Sequence, residues 1–135
     1  MNGITVKAYS KSKDGNKQLT RNFKVREFAC KDGSDPVFIA EGLVEVLQQI
    51  RSHFGKAVTI TSAYRTPSHN KKVGGSSQSQ HLYGMAADIV VQGVRPELVA
   101  AYAEQLLPGT GGIGIYRKSG FVHIDVRKVK SRWKE

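Results

Sequence analysis

The chain has 135 residues, 39% of them hydrophobic and 24% charged, and a formal net charge of +10 from 21 Lys and Arg against 11 Asp and Glu. That length suits one domain with its own core, and the composition excludes a disordered tail. No apolar run approaches the roughly 20 residues that a membrane-spanning helix needs, and a single cysteine, Cys30, excludes an intrachain disulfide and a thiolate metal cluster.

"ITVKAYSKSKDGNKQLTRNF" alternates weakly around Asp14-Gly15-Asn16, a turn signal, and predicts a loose hairpin or extended arm. "GSDPVFIAEGLVEVLQQIRSHFG" predicts a helix, with Ser34 or Asp35 as its cap and Pro36 near its first turn. Leu43, Leu47, Ile50 and Phe54 recur at helical spacing, and Gly55 ends the run. "AVTITSAY" reads as a strand with Val58, Ile60 and Ser62 on one face and Thr59 and Thr61 on the other. A long loop, "RTPSHNKKVGGSSQSQ", leads to a buried strand, "MAADIVV". "RPELVAAYAEQLLPG" predicts a second amphipathic helix with Val99, Tyr102 and Leu106 inward. "GGIGIYRKSGFVHIDVR" then reads as a β-hairpin turning at Lys118-Ser119-Gly120. This order predicts a single α+β domain whose sheet is mostly antiparallel and flanked by helices.

Three further readings concern compartment and partners. The opening "MNGITVKAYSKSKDG" lacks the apolar segment of a secretory signal, so synthesis in the cytoplasm without a signal peptide is expected. Positive charge gathers between Lys7 and Arg26 and again between Arg127 and Lys134. It predicts attraction to a polyanion, whether nucleic acid, an anionic lipid surface or the anionic polymers of a bacterial wall, although a solvated rim explains it equally well. Cys30 lies in "REFACKDG" with no adjacent histidine, and is expected to be a packed structural thiol.

Of the four histidines, His53 ends the first helix, where a cation suits the helix dipole. His69 sits in the long loop, facing either solvent or a site. In "FVHIDVR" the side-chain period of two puts Phe121, His123 and Asp125 on one face and Val122, Ile124 and Val126 on the other. Asp88 stands just ahead of a buried apolar run, so its carboxylate must be paired, solvated or metal-bound. Two imidazoles and one carboxylate are a usual protein set for catalytic Zn²⁺, with the fourth position left to water. By spacing alone His81, Asp88 and His123 remain an unspecific set, because no H-E-x-x-H signature supports them.

A resemblance makes them specific. "SQHLYGMAAD" fits the pattern S-x-H-x-x-G-x-A-x-D of the zinc D-Ala-D-Ala carboxypeptidase family, which includes phage endolysin peptidases and related murein peptidases. "TSAYRTPSHN" resembles the upstream block of that family, "GGIGIYRKSGFVHIDVR" its closing hairpin, and "NFKVREFAC" the leader seen in members from phages and prophages. The blocks cover about residues 22 to 127, leaving 1–21 as the arm and 128–135 as a basic tail of one 135-residue domain. The resemblance implies a Hedgehog/DD-peptidase-like fold and zinc bound by His81, Asp88 and His123. It also implies that Arg65 and Ser79 hold substrate, with His69 a further candidate on the substrate side, while Gly84 and Ala86 serve packing. Many members carry an acid three positions before the last zinc histidine, and several a histidine two positions before it; here those positions are Gly120 and Phe121. Asp125 is the nearest acid, with two open roles: general base, or a residue that orients the zinc site.

The implied activity is zinc-dependent hydrolysis of amide bonds in peptidoglycan stem peptides or cross-links, by a monomer released to the wall by a partner such as a holin. A non-catalytic wall-binding or phage structural module is the alternative. Nucleic acid is not an expected partner, since no recognition-helix motif or interleaved aromatics accompany the charge.

Overall fold

The computed structural model describes residues 4–135. Its first part contains β1 (Val6–Ser10), α1 (Lys11–Asp14), β2 (Gln18–Thr20), β3 (Phe23–Lys24) and a 3-10 turn at Val25–Phe28. Next come β4 (Pro36–Ala40), α2 (Glu41–Phe54), β5 (Val58–Ser62) and α3 (Pro67–Lys72). A second 3-10 turn at Gln80–Tyr83 precedes β6 (Ala86–Val91) and α4 (Pro96–Leu106). The chain closes with β7 (Gly112–Tyr116), β8 (Phe121–Asp125) and β9 (Ser131–Lys134).

β5 to β9 form a five-stranded sheet in the order β5-β6-β8-β7-β9, antiparallel except where β9 runs parallel to β7. One face of this sheet is apolar: Ile60, Ile89, Val122 and Ile115 lie opposite one another across four strands, with Ala87, Ile124 and Ile113 in a neighbouring row. α2 and α4 pack against each other and against this sheet, contributing buried Leu43, Leu47, Ile50, Val99 and Ala103. Each of the Leu, Ile and Val side chains contributes about 1.5–3 kcal/mol by leaving water. Phe23, Val25 and Phe28, from β3 and the first 3-10 turn, complete the same core. Gly55, at φ +64, ends α2 with its N–H donating to the Arg51 carbonyl, the left-handed stop for which glycine is suited. The result is a single α+β domain with a mostly antiparallel sheet.

Several local expectations need correction. The first long helix begins at Glu41, and the residues read as its start form β4, which pairs antiparallel with β1. Buried Val37 and Ile39 flank exposed Phe38, so the true period there is two. Asp35 braces a different helix, one capped by Ser10: it accepts from the Ser10 hydroxyl at 2.6 Å and from Ser12 N at 2.8 Å, tying down α1. The arm is therefore not one hairpin, because β1 pairs with β4 while β2 pairs with β3. The long loop contains α3, capped by Thr66 with Pro67 in its first turn. The basic tail contains β9, whose Arg132 binds Glu104 on α4 and the carbonyl of Gly111. Among the described residues no helix is long and apolar enough to cross a membrane.

A candidate metal centre in a polar cleft

The sheet face turned away from the helices carries the candidate chemistry. Ser62, Asp88, His123, Gly114 and Trp133 stand opposite one another on five successive strands. Ala86, Asp125, Gly112 and Ser131 form the next row on the same face, two residues along each strand. Ser62 joins its row because the β5–β6 register shifts between Ile60 and Ser62. Thr61 is the extra residue of this bulge, which turns Ser62 to the face opposite Ile60, against the simple alternation expected from sequence.

His81 reaches the same point from a loop. Ser79 caps the 3-10 turn, its Oγ accepting from His81 N at 3.2 Å, and Gly84 closes it at φ +71. A Cβ on Gly84 would lie 2.3 Å from the Phe38 carbonyl oxygen, so the turn can lie against β4 only with glycine there. That agrees with the packing role expected of Gly84. Arg65 N donates to the His81 carbonyl at 3.0 Å, joining this turn to the end of β5.

The three side chains converge. His81 Nε2 lies 3.3 Å and His123 Nδ1 3.1 Å from Asp88 Oδ1, and all three residues are buried. The outer nitrogen of each imidazole is engaged elsewhere. His81 Nδ1 donates to the Ala63 carbonyl at 2.7 Å, and His123 Nε2 donates to Asp125 Oδ2 at 2.7 Å. This fixes which nitrogen of each ring faces Asp88. Ligands at zinc distances on a tetrahedron stand about 3.3–3.5 Å apart, so the donor types and the spacing both fit that ion. Burial pushes the Asp88 carboxyl up, but hydrogen bonds and charge from His123 and His81 outweigh it and hold the pKa at about 2. Burial likewise disfavours charge on His123, yet Asp125 and Asp88 raise its pKa above the usual value.

Asp125 is wholly buried (0% exposed). Its Oδ1 accepts from Gly112 N at 2.9 Å, Arg127 N at 3.0 Å and Arg127 Nε at 2.9 Å. Its Oδ2 accepts from His123 Nε2 at 2.7 Å and Arg127 Nη2 at 2.6 Å. Five donors occupy a group with about four lone-pair sites. It therefore sits behind the His123 ring, on the side away from Asp88. Burial raises its carboxyl, but the hydrogen bonds from His123 and Arg127 outweigh this and hold it well below the usual range.

Around the trio lies a cleft of about 580 Å³, lined among others by Arg65, Ser79, Tyr116, Phe121, Arg127, Trp133 and Glu135. Arg65 is held by Ser62 Oγ, which accepts from its Nε at 3.1 Å, and by Asn70 Oδ1, which accepts from Nη1 at 3.1 Å. Its Nη2 lies 3.7 Å from Asp88 Oδ2. His69 does not line this cleft; it lies on α3 near Cys30 and Asp32. Gly120, at φ +76, belongs to the turn joining β7 and β8. His53 stacks on Tyr102 with centroids 3.8 Å apart, as suits a structural histidine.

Sequence reasoning missed Trp133, Tyr116, Asn70 and Glu135. Trp133 stands 5.0 Å from the His123 ring and donates from Nε1 to the Tyr116 hydroxyl at 2.9 Å. The signal was present in Gly112-x-Gly114. A Cβ on Gly114 would come within 2.4 Å of the indole, and one on Gly112 within 2.2 Å of the Asp125 carboxylate. Two glycines on one face of a strand marked the space that those groups fill.

Residues 17–125 match the family model described as Peptidase M15. The peptidoglycan L,D-endopeptidases MepK of Escherichia coli (strain K12) and Shigella flexneri are each 32% identical to this chain over 94 residues. The match covers 64% of this chain and 50% of each relative, so the chain spans about half the length of the curated relatives it matches.

Proposed function

This chain belongs to the Peptidase M15 family, and from that premise we propose that it hydrolyses amide bonds in bacterial peptidoglycan peptides with a zinc ion as cofactor. The observation that carries the reading is the convergence of His81 Nε2, His123 Nδ1 and Asp88 Oδ1, with the outer nitrogen of each ring committed to a hydrogen bond. Zinc held by these residues supplies a Lewis acid for attack on an amide carbonyl.

The remaining groups have separable tasks. Arg65, with its fork braced by Ser62 and Asn70, grips a substrate carbonyl or carboxylate and opposes negative charge that develops there. Ser79 uses an oxygen lone pair to cap the His81 turn, which leaves its hydroxyl hydrogen to donate to substrate. Asp125 is read as the residue that orients His123, since its oxygens are already filled by donors. Apart from Asp88, Glu135 is the carboxylate lining the cleft, and it takes the proton-accepting role that Gly120 leaves unfilled. Tyr116, Phe121 and Trp133 form an aromatic wall, the first two stacked with centroids 4.4 Å apart.

An internal peptide bond is the favoured target, because the relatives are L,D-endopeptidases; removal of a terminal D-alanine is the competing specificity. The basic surface favours the anionic wall as the place of action. Mass spectrometry of muropeptides after digestion distinguishes the bonds: an internal cut separates peptide fragments, whereas a carboxypeptidase removes single terminal residues. A non-catalytic wall-binding module is the second reading, favoured by Gly120 where many members of the family carry an acid, and it predicts zinc binding without new peptide ends.

A further inference from the structure

A second group of metal-ligating side chains lies outside the cleft. A ligand atom from each of Cys30, Asp32 and His69 falls within 4.8 Å of the other two. Cys30 and Asp32 follow the first 3-10 turn, and His69 sits on α3, so the group joins two segments far apart in sequence. Thr66 ties all three together. Its N–H donates to Cys30 Sγ at 3.4 Å, its hydroxyl donates to Asp32 Oδ2 at 2.7 Å, and its Oγ1 accepts from His69 N at 3.2 Å.

The chemistry of the set suits a metal. Thiolate, imidazole and carboxylate together are a borderline-soft donor set of the kind zinc takes. The Thr66 N–H donating to the Cys30 sulfur fixes where that sulfur points, as donors around metal sites do for first ligands. The Asp32 carboxylate is held in place beside the sulfur, its Oδ1 accepting from Ser34 N at 2.9 Å and its Oδ2 from the Thr66 hydroxyl at 2.7 Å. Cys30 is buried, whereas Asp32 is exposed and His69 half-exposed, which leaves an entry path and room for water as a fourth ligand.

We propose that Cys30, Asp32 and His69 form a second, structural site for a divalent cation of the zinc class, distinct from the cleft. An ion there clamps the leader segment to the start of α3. Arg65 immediately precedes the capping Thr66, and Asn70 lies one residue beyond His69, so the clamp braces Arg65, which lines the cleft, and Asn70, which holds it.

The two sites are separable because Cys30 is the only cysteine and the cleft trio contains no sulfur. The metal-free full chain is titrated with Co²⁺ and followed in the near ultraviolet, where thiolate-to-cobalt charge transfer absorbs, with bound metal counted by elemental analysis. The expected result is two equivalents per chain and a charge-transfer band. Both the band and one equivalent are lost in Cys30→Ser and in His69→Ala, while His123→Ala loses the other equivalent and keeps the band. His69→Ala alters a half-exposed side chain, and it carries the test should Cys30→Ser fail to fold. A single equivalent without a sulfur band overturns the proposal, as does a band that survives His69→Ala at unchanged cobalt affinity.

Discussion

At the scale of single residues, the proposed roles of Asp125 and Glu135 are separable by substitution. Asp125 is saturated by donors and touches the outer nitrogen of His123, so its loss acts first on metal affinity. Asp125→Asn is expected to weaken zinc binding about 10–100-fold, measured by competition with a chromophoric chelator. A base role would instead leave affinity intact and remove turnover. Glu135→Gln is expected to do the reverse: zinc affinity unchanged and kcat on a peptidoglycan peptide reduced at least about a hundredfold, the low end for an acid–base group. Unchanged kcat in that variant would remove Glu135 from the chemistry.

The buried carboxylates also set a pH dependence. The Asp125 carboxyl is held below its ordinary value, so between the two pKa values the unfolded chain binds more protons than the folded one. The stability it contributes is complete above the unfolded value of about 3.9 and is lost as pH falls through the folded one. The metal-free protein should therefore lose Tm steeply below about pH 4, and Asp125→Asn should flatten that slope. A Tm equally sensitive to acid in both proteins would contradict this account.

At the scale of elements, the site is a product of strand register and two backbone irregularities. Asp88, His123 and Asp125 were legible because period-two alternation in "FVHIDVR", and an acid ahead of an apolar run, follow directly from strand geometry. Other elements were hidden by competing signals. Ser34, Asp35 and Pro36 form a good helix start, yet β1 offers Pro36–Ala40 a partner strand that local sequence cannot reveal. The basic residues around Trp133 mask β9, which gains its place by pairing with β7 and by the Arg132–Glu104 contact. The bulge at Thr61 is invisible to any strict period. His81 depends on the turn that Gly84 closes, where an added Cβ meets backbone. Gly84→Ala should cost about 1–2 kcal/mol from the left-handed conformation alone, plus the displacement of β4. The expected readout is a lower Tm together with weaker zinc binding; an unchanged zinc affinity would show that the turn does not position His81.

At the scale of the whole molecule, one sheet separates two tasks. Its apolar face, covered by α2 and α4, supplies stability, and its opposite face presents Asp88 and His123 to a cleft shared with a braced arginine and an aromatic wall. The strands fix the positions of Asp88 and His123, while the loop carrying Ser79 and His81 brings the second imidazole to them. The family match covers the chain from residue 17 to 125, so Trp133 and Glu135 extend the cleft with residues beyond that span. The most direct test is the release of new peptide ends from purified peptidoglycan by the intact chain, measured with zinc bound, after chelation and after zinc is restored. The account predicts cleavage that chelation abolishes and zinc restores, and that His123→Ala lacks throughout. Absence of cleavage by the zinc-loaded protein, or cleavage indifferent to chelation, would contradict it.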